Sequence, residues 1–343
     1  MPDTKRANDG IDRRRLLAGL AAGAAVMAAP VRPAFARQAA TPASAGGAWT
    51  FTDDRDITIE LPERPERVVA QVTAAAALWD YGIRPVAVIG PQRLADGSPD
   101  PMVGEIDLDA VESLGEVWGE FDVELLASFA PDLFVSQSYG PAFPLWYIPD
   151  EAVEDTIEAI VPTVGILVQD VPITQPIARF AELAETLGAD MDAPELVADK
   201  ERFDAAVEEL RAAIAEKPNL TAIAFGAIPD ELYVANPSVA ADLIFLRELG
   251  LNVVQPENPD GFWEALSWEQ ANTYPADLIL NDARTQALPL EQLNEIPTWR
   301  ELPAVKAGQV TPWNLEPVYS YRGYAPALED LAAAIRAARE DVV

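Results

Sequence analysis

The chain has 343 residues, 50% of them hydrophobic, with 24 basic against 56 acidic side chains and a formal charge of −32. It contains neither cysteine nor histidine, which excludes disulfides, thiolate metal sites, a lipid-modified cysteine anchor, His-ligated zinc and the Ser-His-Asp and Cys-His nucleophile systems. The acid excess disfavours nucleic acid and anionic membranes as partners, and the length suffices for two domains with cores of their own.

At the amino end Arg13-Arg14-Arg15 is followed by the apolar run Leu16 to Ala29 and then by Ala34-Phe35-Ala36. Charged region, hydrophobic region and A-x-A site in that order make residues 1–36 an export signal, and the paired arginines favour the twin-arginine route. The apolar run is too short to span about 30 Å of hydrocarbon. The expected product is therefore exported, periplasmic or associated with the cell surface. Residues 37–49, with "QAATPASAGGA", read as a flexible linker.

From residue 50 strands and helices alternate. Arg67 to Ala70 is a strand, an apolar helix runs to Trp79, and "GIRPVAVIG", "PDLFVSQ" and "VPTVGIL" supply further strands. This alternation predicts parallel βα units for a first lobe, 50–193. The periodicity then becomes helical: "PIARFAELAETLG" stops at Gly188, and Pro194 opens a second helix that ends before Pro218. Leu196, Phe203, Val207, Leu210 and Ile214 form its apolar stripe. At ~1.5 Å per residue the helix 194–217 is roughly 35 Å long, a rigid rod rather than a string. The βα alternation restarts in a second lobe, 218–343, with "TAIAFGA", "ELYVA", "NVVQP", "ADLILND" and "GQVTPW".

The two halves repeat one another. "DVELLASFAPDLFVS", Asp122 to Ser136, aligns without a gap to "SWEQANTYPADLILN", Ser267 to Asn281. Glu124/Glu269, Phe129/Tyr274, Asp132/Asp277 and Leu133/Leu278 share one offset. The predicted fold class is α/β, with two similar lobes, each a mainly parallel sheet flanked by helices, joined by one long rigid helix.

The ordered segments "ERPERVVAQVTAAAALWDYGIRPVAVIG", "DVELLASFAPDLFVSQS", "WEQANTYPADLIL" and "WRELPAVKAGQVTPW" resemble the periplasmic binding proteins of iron-siderophore and vitamin B12 uptake. The resemblance implies capture of a ferric siderophore between the lobes and delivery to an ABC importer, by a protein that is not an enzyme and acts as a monomer without a cofactor. Glu124 and Glu269 match the family's lobe-tip glutamates that dock on a permease dimer. The metal-binding cousins hold bare ions through histidines, which are lacking here, so iron is expected only inside a chelate.

Ligands of open parallel sheets bind beyond the carboxyl ends of the strands. The loops there and nearby offer Arg93, Tyr139, Trp146, Tyr147, Trp263, Arg284, Trp313, Tyr319, Tyr321 and Arg322. Aromatic rings give flat walls for a bulky chelate, and arginine gives forked donors for its peripheral oxygens. With no dense basic cluster in sight, a hydroxamate or carboxylate chelate is expected over a tricatecholate of about three negative charges. Haem, through an axial tyrosine, and cobalamin are alternative ligands. A carboxylate-dependent hydrolase is the remaining alternative, but no spacing singles out an acid pair.

Overall fold

The computed structural model describes residues 47–343 except Thr285 and Gln286. The export signal and the linker up to residue 46 lie outside the described residues. The last linker residue, Trp49, is the buried first residue of strand β1 (Trp49–Thr52), which forms an antiparallel hairpin with β2 (Thr58–Leu61). Trp49, Phe51 and Ile59 turn inward from it onto the core.

The first lobe is built on β3 (Val68–Gln71), β4 (Ala87–Ile89), β5 (Glu112–Ser113), β6 (Leu133–Ser138) and β7 (Thr163–Leu167). They lie in the order β5-β4-β3-β6-β7, every pair parallel. Continuous apolar runs such as Val68-Val69-Ala70 suit strands covered on both faces. Helix α1 (Val72–Asp80) is buried from Val72 to Leu78, and its four consecutive alanines allow close approach to α4 (Thr174–Thr186). Two short outer helices, α2 (Val123–Ser128) and α3 (Glu151–Ile160), are capped by Asp122 and Asp150.

Helix α5 (Pro194–Glu216) spans 23 residues and matches the expected connector to within one residue. Four of its five stripe residues are buried; Val207 is half-buried. The stripe faces the carboxyl-terminal helix α10 (Tyr321–Ala337). One apolar core runs from α1 and α4 through α5 and α10 into the second lobe.

The second lobe has β8 (Thr221–Ala227), β9 (Glu231–Ala235), β10 (Asn252–Val253), β11 (Trp263–Ser267), β12 (Leu278–Asp282) and β13 (Val310–Trp313). The order is β11-β9-β8-β12-β13, with β10 beside the start of β8. Strands β8, β10, β12 and β13 are parallel, whereas "ELYVA" returns as an antiparallel hairpin partner of β8 and pairs antiparallel with β11. Helix α6 (Ala241–Glu248) and the short helices α7 (Leu290–Leu293), α8 (Pro297–Glu301) and α9 (Pro303–Ala307) complete the lobe.

The repeated aspartates do the same work in both lobes. Asp132 accepts the backbone N–H groups of Glu66 and Arg67 at 3.0 and 2.9 Å, at the entry to β3. Asp277 accepts the N–H and hydroxyl of Thr221 at 3.0 and 2.8 Å, at the start of β8. Each carboxylate satisfies backbone donors of the adjacent parallel strand and so sets its register. The preceding turns differ: α2 is an α-helix, while Trp268–Gln270 is a 3₁₀ turn closed by a Ser267–Gln270 capping box.

Candidate functional site

The carboxyl ends of β6, β12 and β13 converge on one group of side chains. In-register pairing sets Asp282 beside Trp313, and the Ala283 N–H donates to the Trp313 carbonyl at 2.8 Å. Two side-chain-to-backbone turns shape the loops that follow: Asp282 accepts the Arg284 N–H at 3.1 Å, and Asn314 accepts the Glu316 N–H at 3.0 Å. The guanidinium of Arg284 thereby lies between two buried carboxylates, with Nη2 at 2.7 Å from Asp282 and Nη1 at 3.0 Å from Glu316. Burial alone would lower the affinity of Arg284 for its proton, but the two carboxylates outweigh this and raise it. The positive charge is permanent and already matched.

Glu316 also reaches the first lobe, where the Tyr139 hydroxyl donates to it at 3.2 Å. The loop carrying Tyr139 is braced against β6. Ser136 Oγ donates to the Trp146 carbonyl at 2.8 Å, and the Trp146 N–H donates to the Gln137 carbonyl at 2.8 Å. The ring of Tyr139 stands 4.7 Å from Trp146 and 5.3 Å from Phe262 of the second lobe. Burial first, and then the charge of Glu316, hold the Tyr139 hydroxyl well above its usual range. The same causes push Tyr147 up to about 12, and its hydroxyl donates to the Glu116 carbonyl at 3.1 Å. Both phenols are donors at neutral pH.

In the second lobe Trp263 meets Tyr233 and Trp313 edge-on at 6.2 and 6.1 Å. A cavity of about 270 Å³ is lined there by Tyr233, Trp263, Asp282 and Arg284, among others. Behind it the Trp313 indole N–H donates to the buried carboxylate of Asp242. Burial pushes Asp242 up to about 6, and the Trp313 hydrogen bond offsets part of that rise.

Six of the expected ligand residues therefore come together: Tyr139, Trp146, Tyr147, Trp263, Arg284 and Trp313. Tyr319 is buried and stacked on Phe180 of α4 at 5.9 Å. Tyr321 and Arg322 belong to the packing of the lobes: Tyr321 contacts Tyr81 and Phe203, and Arg322 pairs with Asp199 of α5 at 2.8 Å. Arg93 is exposed and donates to the Gly97 carbonyl of its own loop at 3.2 Å. Glu124 and Glu269 are both exposed, each in the first turn of its short helix.

Phe262, the sequence neighbour of Trp263, completes the group with Asp282, Glu316 and Trp118, which had not stood out in the sequence. The acids are two among many, and only the fold assigns them to Arg284. Trp118 lies in the polar turn "GEVWGEF", an aromatic ring stranded among polar residues and glycine, a pattern by which it could have been found.

The periplasmic binding protein family matches residues 95–314. Among solved structures, DesE, a ferric-siderophore receptor protein from Streptomyces coelicolor, is 41% identical, with a TM-score of 0.82 over 85% of this chain and 99% of that one. The Fe³⁺-Desferal-bound siderophore binding protein FhuD from Vibrio cholerae is 20% identical, with a TM-score of 0.54 over 81% of this chain and 99% of that one, a likeness of fold alone. A curated relative, the Fe(3+)-citrate-binding protein YfmC of Bacillus subtilis, is 21% identical over 72% of each chain.

Proposed function

Because the chain belongs to the periplasmic binding protein family, we propose that it is an extracytoplasmic receptor that captures a ferric siderophore of the hydroxamate class and hands it to an ABC importer. Binding rather than catalysis is the role that family membership carries. Residues 50–193 and 218–343 act as the two jaws, and the helix 194–217 sets their spacing. Export proceeds by the twin-arginine route, and the protein works as a monomer that docks through Glu124 and Glu269, one on each lobe.

One observation carries the choice of ligand class. The cleft arginine, Arg284, is already neutralised by Asp282 and Glu316, so the three groups together carry a formal charge of −1. An anionic chelate would bring its charge to a desolvated centre with no positive excess to meet it. A ferric trihydroxamate is neutral at its iron core and needs only donors for its oxygens. Arg284 keeps N–H donors beyond those given to Asp282 and Glu316, and Trp146, Trp263 and Trp313 supply the walls. A haem ligated through tyrosine would need a phenolate, whereas Tyr139 and Tyr147 are held as phenols whose protons are engaged.

Quenching of the intrinsic tryptophans by a neutral ferric trihydroxamate, with a submicromolar Kd and at least tenfold preference over a ferric tricatecholate, is the expected result. Tighter binding of the tricatecholate, or of haem or cobalamin, would overturn the ligand assignment. Charge reversal of both Glu124 and Glu269 should abolish uptake and leave ligand affinity intact. Unchanged transport by that variant would refute the docking role.

A further inference from the structure

Between β13 and α10 the chain leaves the second lobe and plugs into the first. Val318, Tyr319 and Ser320 are all buried there. A Cβ added at Gly104, just past the 3₁₀ turn Pro101–Val103, would lie 2.9 Å from Val318 Cγ2, so the valine sits tightly in its socket. Tyr319 stacks on Phe180 of α4 at 5.9 Å. Ser320 Oγ donates to Asp80 at the end of α1, and the Tyr321 N–H donates to the Tyr81 hydroxyl at 3.3 Å. The other crossing between the lobes is backbone to backbone: Asp170 and Ile173 donate their N–H groups to the carbonyls of Val239 and Ala241 at 3.0 and 2.9 Å.

One joint of this plug is polar and incompletely satisfied. Asp80 is buried, and while one carboxyl oxygen accepts from Ser320, the other has no partner. The ionisable groups that face it are Arg322 of α10, Glu105 beyond Gly104, Asp199 of α5 and the neighbouring Tyr81. The cation among them, Arg322, is already paired with Asp199 at 2.8 Å. A neutral carboxyl suits this place; a carboxylate with a bare buried oxygen favours any movement that admits water to it. Such a movement reaches the cleft directly. Glu316, which joins Tyr139 of the first lobe to Arg284 of the second, precedes Ser320 by four residues, with Pro317 stiffening the link.

We propose that residues 318–321 are a proton-controlled latch between the lobes: a neutral Asp80 keeps the segment seated and Glu316 against Tyr139, whereas an ionised Asp80 lets it withdraw and the cleft widen. Asp80 is thus a positioning residue that acts on the cleft through Ser320 and Glu316. The consequence for binding rests on the receptor reading above. Because the seated form holds the proton more tightly, a neutral ferric chelate bound between the lobes is held more tightly in acid.

The latch is tested without ligand by the distance between the lobes. The chain has no cysteine, so Ala127→Cys and Asn272→Cys, exposed and equivalent positions of the repeat, carry spin labels on the full chain, one on each lobe. The label distance should be longer at pH 8 than at pH 5 by about 2 Å or more, the scale of a domain rearrangement. With Asp80→Asn added it should keep its pH 5 value at both pH values, and with Asp242→Asn added it should still respond. A distance that ignores pH, a response that survives Asp80→Asn, or a long distance at both pH values in Asp80→Asn would each overturn the latch. The second readout is the Kd of a linear ferric trihydroxamate, by tryptophan quenching. A carboxyl at about 6 when seated and 3.8 when hydrated weakens binding about three- to tenfold from pH 5 to pH 8, and Asp80→Asn should abolish this slope. Tight binding with an unresponsive distance refutes the latch and leaves the receptor reading intact. No binding with a responsive distance supports the latch and removes the trihydroxamate.

Discussion

Replacing Asp80 with asparagine should stabilise the protein at alkaline pH and leave it unchanged in acid. Asp80 ends α1 and is 5% exposed. One carboxylate oxygen accepts from the hydroxyl of Ser320, the N-cap of α10; the other has no partner. Burial raises its pKa from the ordinary 3.8 to about 6, with the Ser320 hydrogen bond and the charge of Arg322 offsetting part of the rise. Between these two values the folded protein keeps a proton that the unfolded chain has released. Stability therefore falls as pH rises through this window, and the full cost is present above pH 6. A shift of about two units corresponds to about 3 kcal/mol. Asparagine keeps an acceptor for Ser320 and carries no charge, so the cost disappears. Urea unfolding followed by tryptophan fluorescence should give equal stabilities for the two proteins at pH 3.5 and a gain of about 2–3 kcal/mol for Asp80→Asn at pH 8. Asp242, also raised to about 6, contributes with the same sign, so the variant should keep part of the pH slope. A variant that is less stable at pH 8 than the unaltered protein would mean that the charge of Asp80, acting through Arg322, holds the lobes together, and the burial argument would be refuted.

Arg284→Met should destabilise by about 3–5 kcal/mol, because it leaves Asp282 and Glu316 buried without their cation. Adding Asp282→Asn and Glu316→Gln should recover most of the loss, as read by thermal unfolding. Trp313→Phe keeps a ring in the wall but removes the donor to Asp242, at a cost of about 1–3 kcal/mol. The loss should be larger at pH 8 than at pH 5, since the orphaned acceptor is costlier when charged, and melting at the two pH values checks this. Trp299 is fully buried in the separate core of the second lobe, so Trp299→Ala should cost about 3–5 kcal/mol and leave ligand affinity unchanged in fluorescence titrations of the folded variant.

The repeat was the most legible part of the sequence. Asp132 and Asp277 recur because each bonds the entry of a neighbouring strand, and a constraint set by backbone geometry reappears wherever that geometry does. Helix α5 was visible for a comparable reason, its apolar spacing bounded by Pro194 and Pro218. The antiparallel return of β9 was not. "TAIAFGA" and "ELYVA" are separated by only Ile228 to Asp230, too short for a parallel crossover, but without a glycine turn pair that signals a hairpin. The β1–β2 hairpin was hidden because its turn is held through Asp53, which accepts from Arg55 two residues on and from the distant Gly165 N–H. At the site, residue types were readable and pairings were not. Arg284 stood out as a cation in a strand-end loop, while its saturation by Asp282 and Glu316 depends on β12 and β13 lying side by side. Tyr321 and Arg322 share their polar surroundings with the cleft aromatics, and only the start of α10 turns them toward α5 and Tyr81.

The most direct test of the account is an iron anomalous-difference map from crystals grown with a linear ferric trihydroxamate. One strong iron peak is expected between Tyr139 and Trp146 of the first lobe and Trp263 and Arg284 of the second, with ligand oxygens facing Arg284. A peak elsewhere on the molecule, or iron bound directly to a tyrosine or carboxylate oxygen of the protein, would contradict it.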